Sequence, residues 1–208
     1  DTYKPSVEAE VKTVDGETAA LEHGVLSDWV KLSFKAIAGM KVTGICRMMI
    51  TEMDEHVSLY VSPINIEPEK PVMPISHPGY YCSYLEKKLG PYATLGLAED
   101  TWALNEKVLD DDSFLAMSKS HDQEREQMFF DALDKTKRGS VVCVFDITDR
   151  MQHMFWRYLE DGHPAARGRE NAEHRKAIEE LYRHNDELVG RVMAELRGGD
   201  VLMVISYH

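Results

Sequence analysis

Apolar and polar positions alternate with a period of two through the first third of the chain. Trp29, Val30, Lys31, Leu32, Ser33 and Phe34 largely alternate, and Val57, Leu59 and Val61 share one face of a second run. That spacing fits half-buried strands, whose successive side chains point to opposite faces of a sheet. Gly16 after Asp15, and Gly39 after Ala38, supply turn chemistry between such runs. Residues 1–66 are therefore expected to form a β-rich meander of short antiparallel strands, an insertion or cap on the rest.

Residues 67–138 read as a mixed, mostly helical connecting region. A stretch from Pro63 to Pro78 leads into it, where Pro63, Pro68, Pro71, Pro74 and Pro78 remove backbone donors and favour extended or turn conformations. Short helical pieces are expected around Tyr84 to Leu89 and Ala98 to Leu109. A clearer helix follows, because Ser120 and Gln123 have capping-box spacing and Met128, Phe129, Ala132 and Leu133 fall on one helical face. Lys135, Lys137 and Arg138 suit the negative pole of its dipole, and Gly139 can end it.

The period then changes. Val141, Val142, Cys143, Val144 and Phe145 are consecutive apolar residues, the pattern of a strand buried on both faces. A long helix is expected from about Glu170 to Arg197, with Ile178, Leu181, Leu188, Val189, Val192 and Leu196 as its apolar stripe and Gly198 and Gly199 at its end. Val201, Leu202, Met203, Val204 and Ile205 form a second continuous apolar run. Strand, helical crossover and strand make a parallel βαβ unit with a right-handed crossover. The expected fold class is α/β: residues 139–208 carry part of a parallel sheet flanked by helices, and the β-rich segment is inserted into it.

Composition narrows the function. The chain has 208 residues, 24 basic against 36 acidic, a net charge of -12, 43% hydrophobic and 29% charged residues. It can bury a core, and its acidic balance argues against binding a nucleic-acid duplex by counterion release. No apolar run approaches the ~18 residues that span a bilayer. Cys46, Cys82 and Cys143 are too few and too scattered for a disulfide framework, and Cys46 and Cys143 are expected to be buried thiols. The chain opens at Asp1 with neither Met nor signal-like segment, as a processed or cut end would, which leaves the compartment open.

Ligands of open parallel sheets gather beyond the carboxyl ends of the strands. After the first apolar run come Asp146, Ile147, Thr148, Asp149, Arg150, Met151, Gln152 and His153. Asp149 and His153 lie one helical turn apart, so a helix starting near Asp149 would place a carboxylate and an imidazole, both good zinc ligands, on one face. The plainer alternative is that Asp149 caps the helix and His153 is an ordinary histidine. Met154, Phe155, Trp156 and Tyr158 form an adjacent aromatic wall, and the second apolar run delivers Ser206 and His208 to the same edge. Elsewhere, His163 with Pro164 is expected as solvated turn chemistry, His121, His174 and His184 on the surface, Asp110, Asp111 and Asp112 as a solvated acidic run, and Asn185 as a stripe amide needing partners.

The segment Phe145 to Trp156 resembles the Asp-x3-His metal segment of the type I phosphodiesterase and nucleotide pyrophosphatase branch of the alkaline phosphatase superfamily. Val201 to Ser206 followed by His208 is similar to that family's next strand, which normally ends Ser-Asp-His-Gly. Leu59 to Ile64 and Pro74 to Pro78 are similar to the insertion carried by its large members, so the resemblance covers most of the chain. It implies an alkaline-phosphatase-like sheet and hydrolysis of phosphate esters, small molecules, at a site of two divalent metals, usually zinc. Asp149 and His153 would hold one ion, and His208 would contribute to the other, where Tyr207 stands in place of the family's aspartate. By the family pattern the nucleophile lies upstream of the insertion and a further histidine downstream. The chain is thus expected to be an internal fragment of a phosphoesterase, inactive in isolation. The rival expectation is a non-catalytic binding or cap module with a degenerate metal edge.

Overall fold

The computed structural model describes residues 8–13, 16, 18–35, 41–166 and 172–206. They fall into two compact units, Asp1–Val144 and Phe145–His208. The content is mixed α/β, and every sheet among the described residues is small and antiparallel.

In the first unit, β1 (Glu8–Lys12) pairs with β2 (Thr18–Glu22), and β3 (Val30–Lys35) pairs with β4 (Lys41–Cys46), which also takes β7 (Asn65–Ile66). A third hairpin joins β5 (Met48–Met53) to β6 (Val57–Val61), its register slipping between Ile50 and Glu52. The alternation therefore becomes strands as expected, and Leu21, Val30, Cys46, Met48 and Ile50 make a shared core. On β6 the inward residue is Tyr60, while the apolar row Val57, Leu59 and Val61 faces out. The turn expected at Ala38 and Gly39, and Asp15 beside Gly16, lie outside the described residues.

Gly44 on β4 has a specific reason. A Cβ there would overlap Ile64 Cγ2 and sit 3.1 Å from the Asn65 carbonyl oxygen, so β4 and β7 approach closely only because this residue has no side chain.

Three helices complete this unit: α1 (Tyr81–Leu89), α2 (Thr101–Asn105) and α3 (Asp111–Lys135). The third starts nine residues before the expected capping box. Asp110 is its N-cap, accepting from the Ser113 N–H at 2.8 Å, with Asp111 and Asp112 in the first turn. The acidic run thus starts a helix, where carboxylates complement the exposed N–H groups and the dipole. Ser120 lies within the helix, and its hydroxyl accepts from Arg47 Nη1 at 2.8 Å. Arg47 also donates through Nε to the Ser27 carbonyl at 2.7 Å and lies over the Trp29 ring. Trp29 Nε1 donates to Glu124 Oε1 at 3.0 Å, and the Ala93 N–H donates to Glu124 Oε2 at 2.9 Å. These polar bonds tie α3 to the strands.

In the second unit α4 (Ile147–Phe155), a 3-10 turn (Trp156–Tyr158) and α5 (Ala172–Glu195) surround one core. α5 buries His174, Ala177, Ile178, Leu181, Leu188 and Val192, close to its expected stripe. His174 corrects the surface reading. It is buried with its ring 4.9 Å from Tyr158 and 5.6 Å from Phe155, centroid to centroid. His121 is likewise buried, stacked on Trp29 at 6.2 Å. Asn185 is half-buried, and its Oδ1 has no hydrogen-bond partner.

The expected parallel βαβ unit is not formed among the described residues. Neither 141–145 nor 201–205 joins a ladder, and Val142 and Val201 are 86% and 82% exposed. Strands buried on both faces take their stability from neighbours on either side. Without such neighbours, an apolar run has no ladder to join. Cys46 is fully buried as expected, Cys82 is too, and Cys143 is only partly covered. No described helix is long and apolar enough to cross a membrane.

Candidate metal edge on the first helix of the second unit

α4 is amphipathic in a way that fixes which side chains reach solvent. Ile147, Arg150, Met151 and Phe155 recur at helical spacing and are buried, which turns Asp149 and His153 outward on the opposite side. The start of the helix is clamped by Asp146 and Arg150. Arg150, largely buried, donates through Nη2 to the Asp146 carboxylate at 2.9 Å and through Nη1 to its carbonyl at 3.0 Å. Asp146 is the N-cap, so Asp149 belongs to the first turn and does not cap. The Asp–Arg spacing of four was the signal that could have shown this.

Asp149 Oδ1 and His153 Nε2 stand 3.4 Å apart, with the two side chains 69% and 72% exposed. Ligand atoms about 2.0–2.2 Å from a tetrahedral zinc are about 3.4 Å from each other, so this carboxylate and imidazole are already spaced for one ion. The same geometry is a surface ion pair when the imidazole is protonated. Such an exposed pair contributes about 0.2–0.5 kcal/mol, too little to dictate the arrangement for stability. Among the described residues, no third His, Cys, Asp or Glu offers a donor within 4.8 Å of both. The pair therefore fits half of a four-ligand zinc shell. His208, with Tyr207, lies outside the described residues, and Ser206 is described without a ladder.

The aromatic wall is divided between two roles. Phe155 and Tyr158 are interior, packed on His174, whereas Trp156 is half-exposed and donates Nε1–H to Glu160 at 3.2 Å. His163, expected to be turn chemistry, accepts at Nδ1 from the Ala165 N–H at 3.2 Å within its own loop.

No family model, curated protein or solved structure matches this chain.

Proposed function

We propose that residues 139–208 contribute one metal-binding edge to a phosphate-ester hydrolase of the type that the Asp-x3-His segment resembles, the rest of the sheet and the nucleophile coming from chain outside these residues. The observation that carries this reading is the 3.4 Å separation of Asp149 Oδ1 and His153 Nε2 on an exposed helical face. Supporting it are the apolar runs 141–145 and 201–205, which precede α4 and follow α5 in the chain, join no ladder, and have the composition of central strands of a parallel sheet. Arg150 and Asp146 fix where the helix begins, and the interior packing of Met151 and Phe155 fixes its rotation. Together they hold the Asp149–His153 edge toward solvent.

A divalent ion bound there would supply positive charge to a phosphate oxygen and lower the pKa of a coordinated hydroxyl. What this chain's residues do is narrower. Asp149 offers a carboxylate, His153 offers an imidazole that must be neutral to ligate, and the helix presets their spacing. Tyr207 is a phenol, neutral near pH 7 with its ordinary pKa about 10, so it replaces neither the charge nor the ligand strength of an aspartate. The reading therefore assigns one ion to this chain's Asp149 and His153, and a second only weakly to His208.

The test is hydrolysis of p-nitrophenyl phosphodiesters. The 208-residue chain should turn over no faster than buffer, because the proposal places the covalent catalyst outside these residues. A longer natural chain containing it should show metal-dependent turnover that drops at least tenfold in His153→Ala. Metal-dependent activity of the 208-residue chain, or an unaffected His153→Ala variant of the longer one, would overturn the reading.

A second reading is favoured by one observation in the first unit. Val57, Leu59 and Val61 form an outward apolar row on β6, which suits a module that binds a partner or covers a substrate site. The same longer chain separates the two: replacing this row with Ser and Thr leaves ester hydrolysis intact under the first reading and is decisive for partner capture under the second.

A further inference from the structure

Three glutamates converge on one lysine where α1 meets the β3–β4–β7 sheet. Lys31 Nζ, on β3, lies 2.9 Å from Glu67 Oε1, 3.6 Å from Glu69 Oε2 and 3.4 Å from Glu86 Oε1. One oxygen from each glutamate lies within 4.8 Å of one from each of the others. Glu67 follows β7 and Glu69 belongs to the turn after it, whereas Glu86 is carried by α1. Glu67 and Glu86 are both buried, and Glu69 is partly exposed.

The three carboxylates are not equivalent. Glu67 is fully engaged, with Oε1 on Lys31 and Oε2 accepting the Lys70 backbone N–H at 2.7 Å. Glu86 reaches Lys31 through Oε1 alone, and its Oε2 is buried with no hydrogen-bond partner. A buried carboxylate oxygen without a donor carries the full desolvation penalty of its charge. One ammonium faces three carboxylates, so full ionisation leaves an excess of two negative charges, with Glu67 and Glu86 buried and Glu69 and Lys31 reached by solvent. A proton is the ligand that fits the open position: it removes one charge from the cluster and with it the desolvation penalty of the orphan oxygen.

We propose that Lys31, Glu67, Glu69 and Glu86 form a proton-operated latch between α1 and the β3–β4–β7 sheet, closed when Glu86 is protonated and loosened when it ionises. The groups facing Glu86 are Lys31 from β3, Glu67 and Glu69 from the segment after β7, and Tyr92 from the segment after α1. Burial, then the charge on Glu67, pushes the Glu86 carboxyl above the ordinary glutamate range, against the pull of Lys31. Glu67 moves the other way despite its burial, held down by Lys31 and by backbone N–H groups. The signs are therefore opposite. The Glu86 contribution is complete below the ordinary glutamate range and is lost as pH rises through its raised value. The Glu67 contribution is present above the ordinary range and is lost only as pH falls through its lowered value. The latch is closed between the lowered value of Glu67 and the raised value of Glu86. This device is independent of the metal edge on α4.

The experiment follows the Glu86 side-chain carboxyl by 13C NMR in the 208-residue chain from pH 3 to 8, beside urea unfolding of the wild type and Glu86→Gln. The carboxyl should titrate above the ordinary glutamate range and move down in Glu67→Gln. Glutamine keeps the uncharged form at every pH. The unfolding equilibrium of Glu86→Gln should thus favour the folded state roughly tenfold more than that of the wild type at pH 8, per unit by which Glu86 is raised. The advantage should vanish near pH 4. A Glu86 titration in the ordinary range, or one unmoved by Glu67→Gln, would overturn the latch even if the variants fold poorly. So would an unfolding difference that is the same at pH 4 and pH 8.

Discussion

Phe155→Ala is expected to destabilise the second unit by about 3–5 kcal/mol, the range for truncating a buried aromatic to alanine. Phe155 is fully buried, tilted against Tyr158 at 5.8 Å and edge-on to His174 at 5.6 Å, and it is the last residue of the face that orients α4. Its loss leaves a cavity among residues contributed by both helices and the turn between them. Amide hydrogen exchange along α4 and α5 should quicken by roughly 10²–10⁴-fold if these helices open as a unit. Phe155→Leu, which keeps most of the volume, should cost less than half as much. Unchanged protection in Phe155→Ala would mean that this ring does not hold the unit together, and the rotation that exposes Asp149 and His153 would need another cause.

The second large effect is expected at Asp131. This buried carboxylate on α3 accepts from the Tyr84 hydroxyl at 2.9 Å, from Lys135 Nζ at 2.5 Å and from Lys88 Nζ, so it fastens α1 to α3. Burial works against its charge, but donation from Lys135, Lys88 and Tyr84 prevails and holds the carboxyl down to about 2. A group held down in the folded chain contributes stability above the ordinary carboxylate range, lost as pH falls through its lowered value. Asp131→Asn should therefore cost about 1.5–3 kcal/mol near neutrality, the scale of charge-assisted hydrogen bonds. The two lysines are half-exposed and regain water, which keeps the cost below that of stranding a fully buried charge. Urea unfolding should show the gap between wild type and Asp131→Asn narrowing as pH falls from about 4 toward 2. A gap that stays constant over that interval would show that the neutral amide replaces the carboxylate.

The parts of this architecture that depend on near neighbours in sequence were legible. Alternation placed β3 and β6, the apolar stripe placed α5, and the spacing of Asp149 and His153 needed only a helical turn to bring them within 3.4 Å. Features made by distant partners were not legible. His121 is buried because Trp29 covers it, and His174 because Phe155 and Tyr158 do, so charged neighbours along the helix pointed the wrong way. α3 hid its beginning because its inward face mixes Phe114 and Met117 with Asp111, Ser118, Asp122, Glu126 and Asp131. A face that polar places no clear period of apolar residues on the chain. The runs at 141–145 and 201–205 have strand composition, but sheet pairing is a property of two segments, and a run of Val and Ile names no partner.

The proposed metal edge comes down to whether Asp149 and His153 share an ion. The most direct measurement is the zinc content of the protein carrying these residues together with the segment that the proposal places outside them, purified with zinc present and compared with its His153→Ala and Asp149→Asn variants. Each substitution should lower the content by one ion per chain while the helical circular dichroism is retained. Equal zinc content in all three proteins would contradict it, leaving the pair an exposed carboxylate and imidazole with no metal to hold.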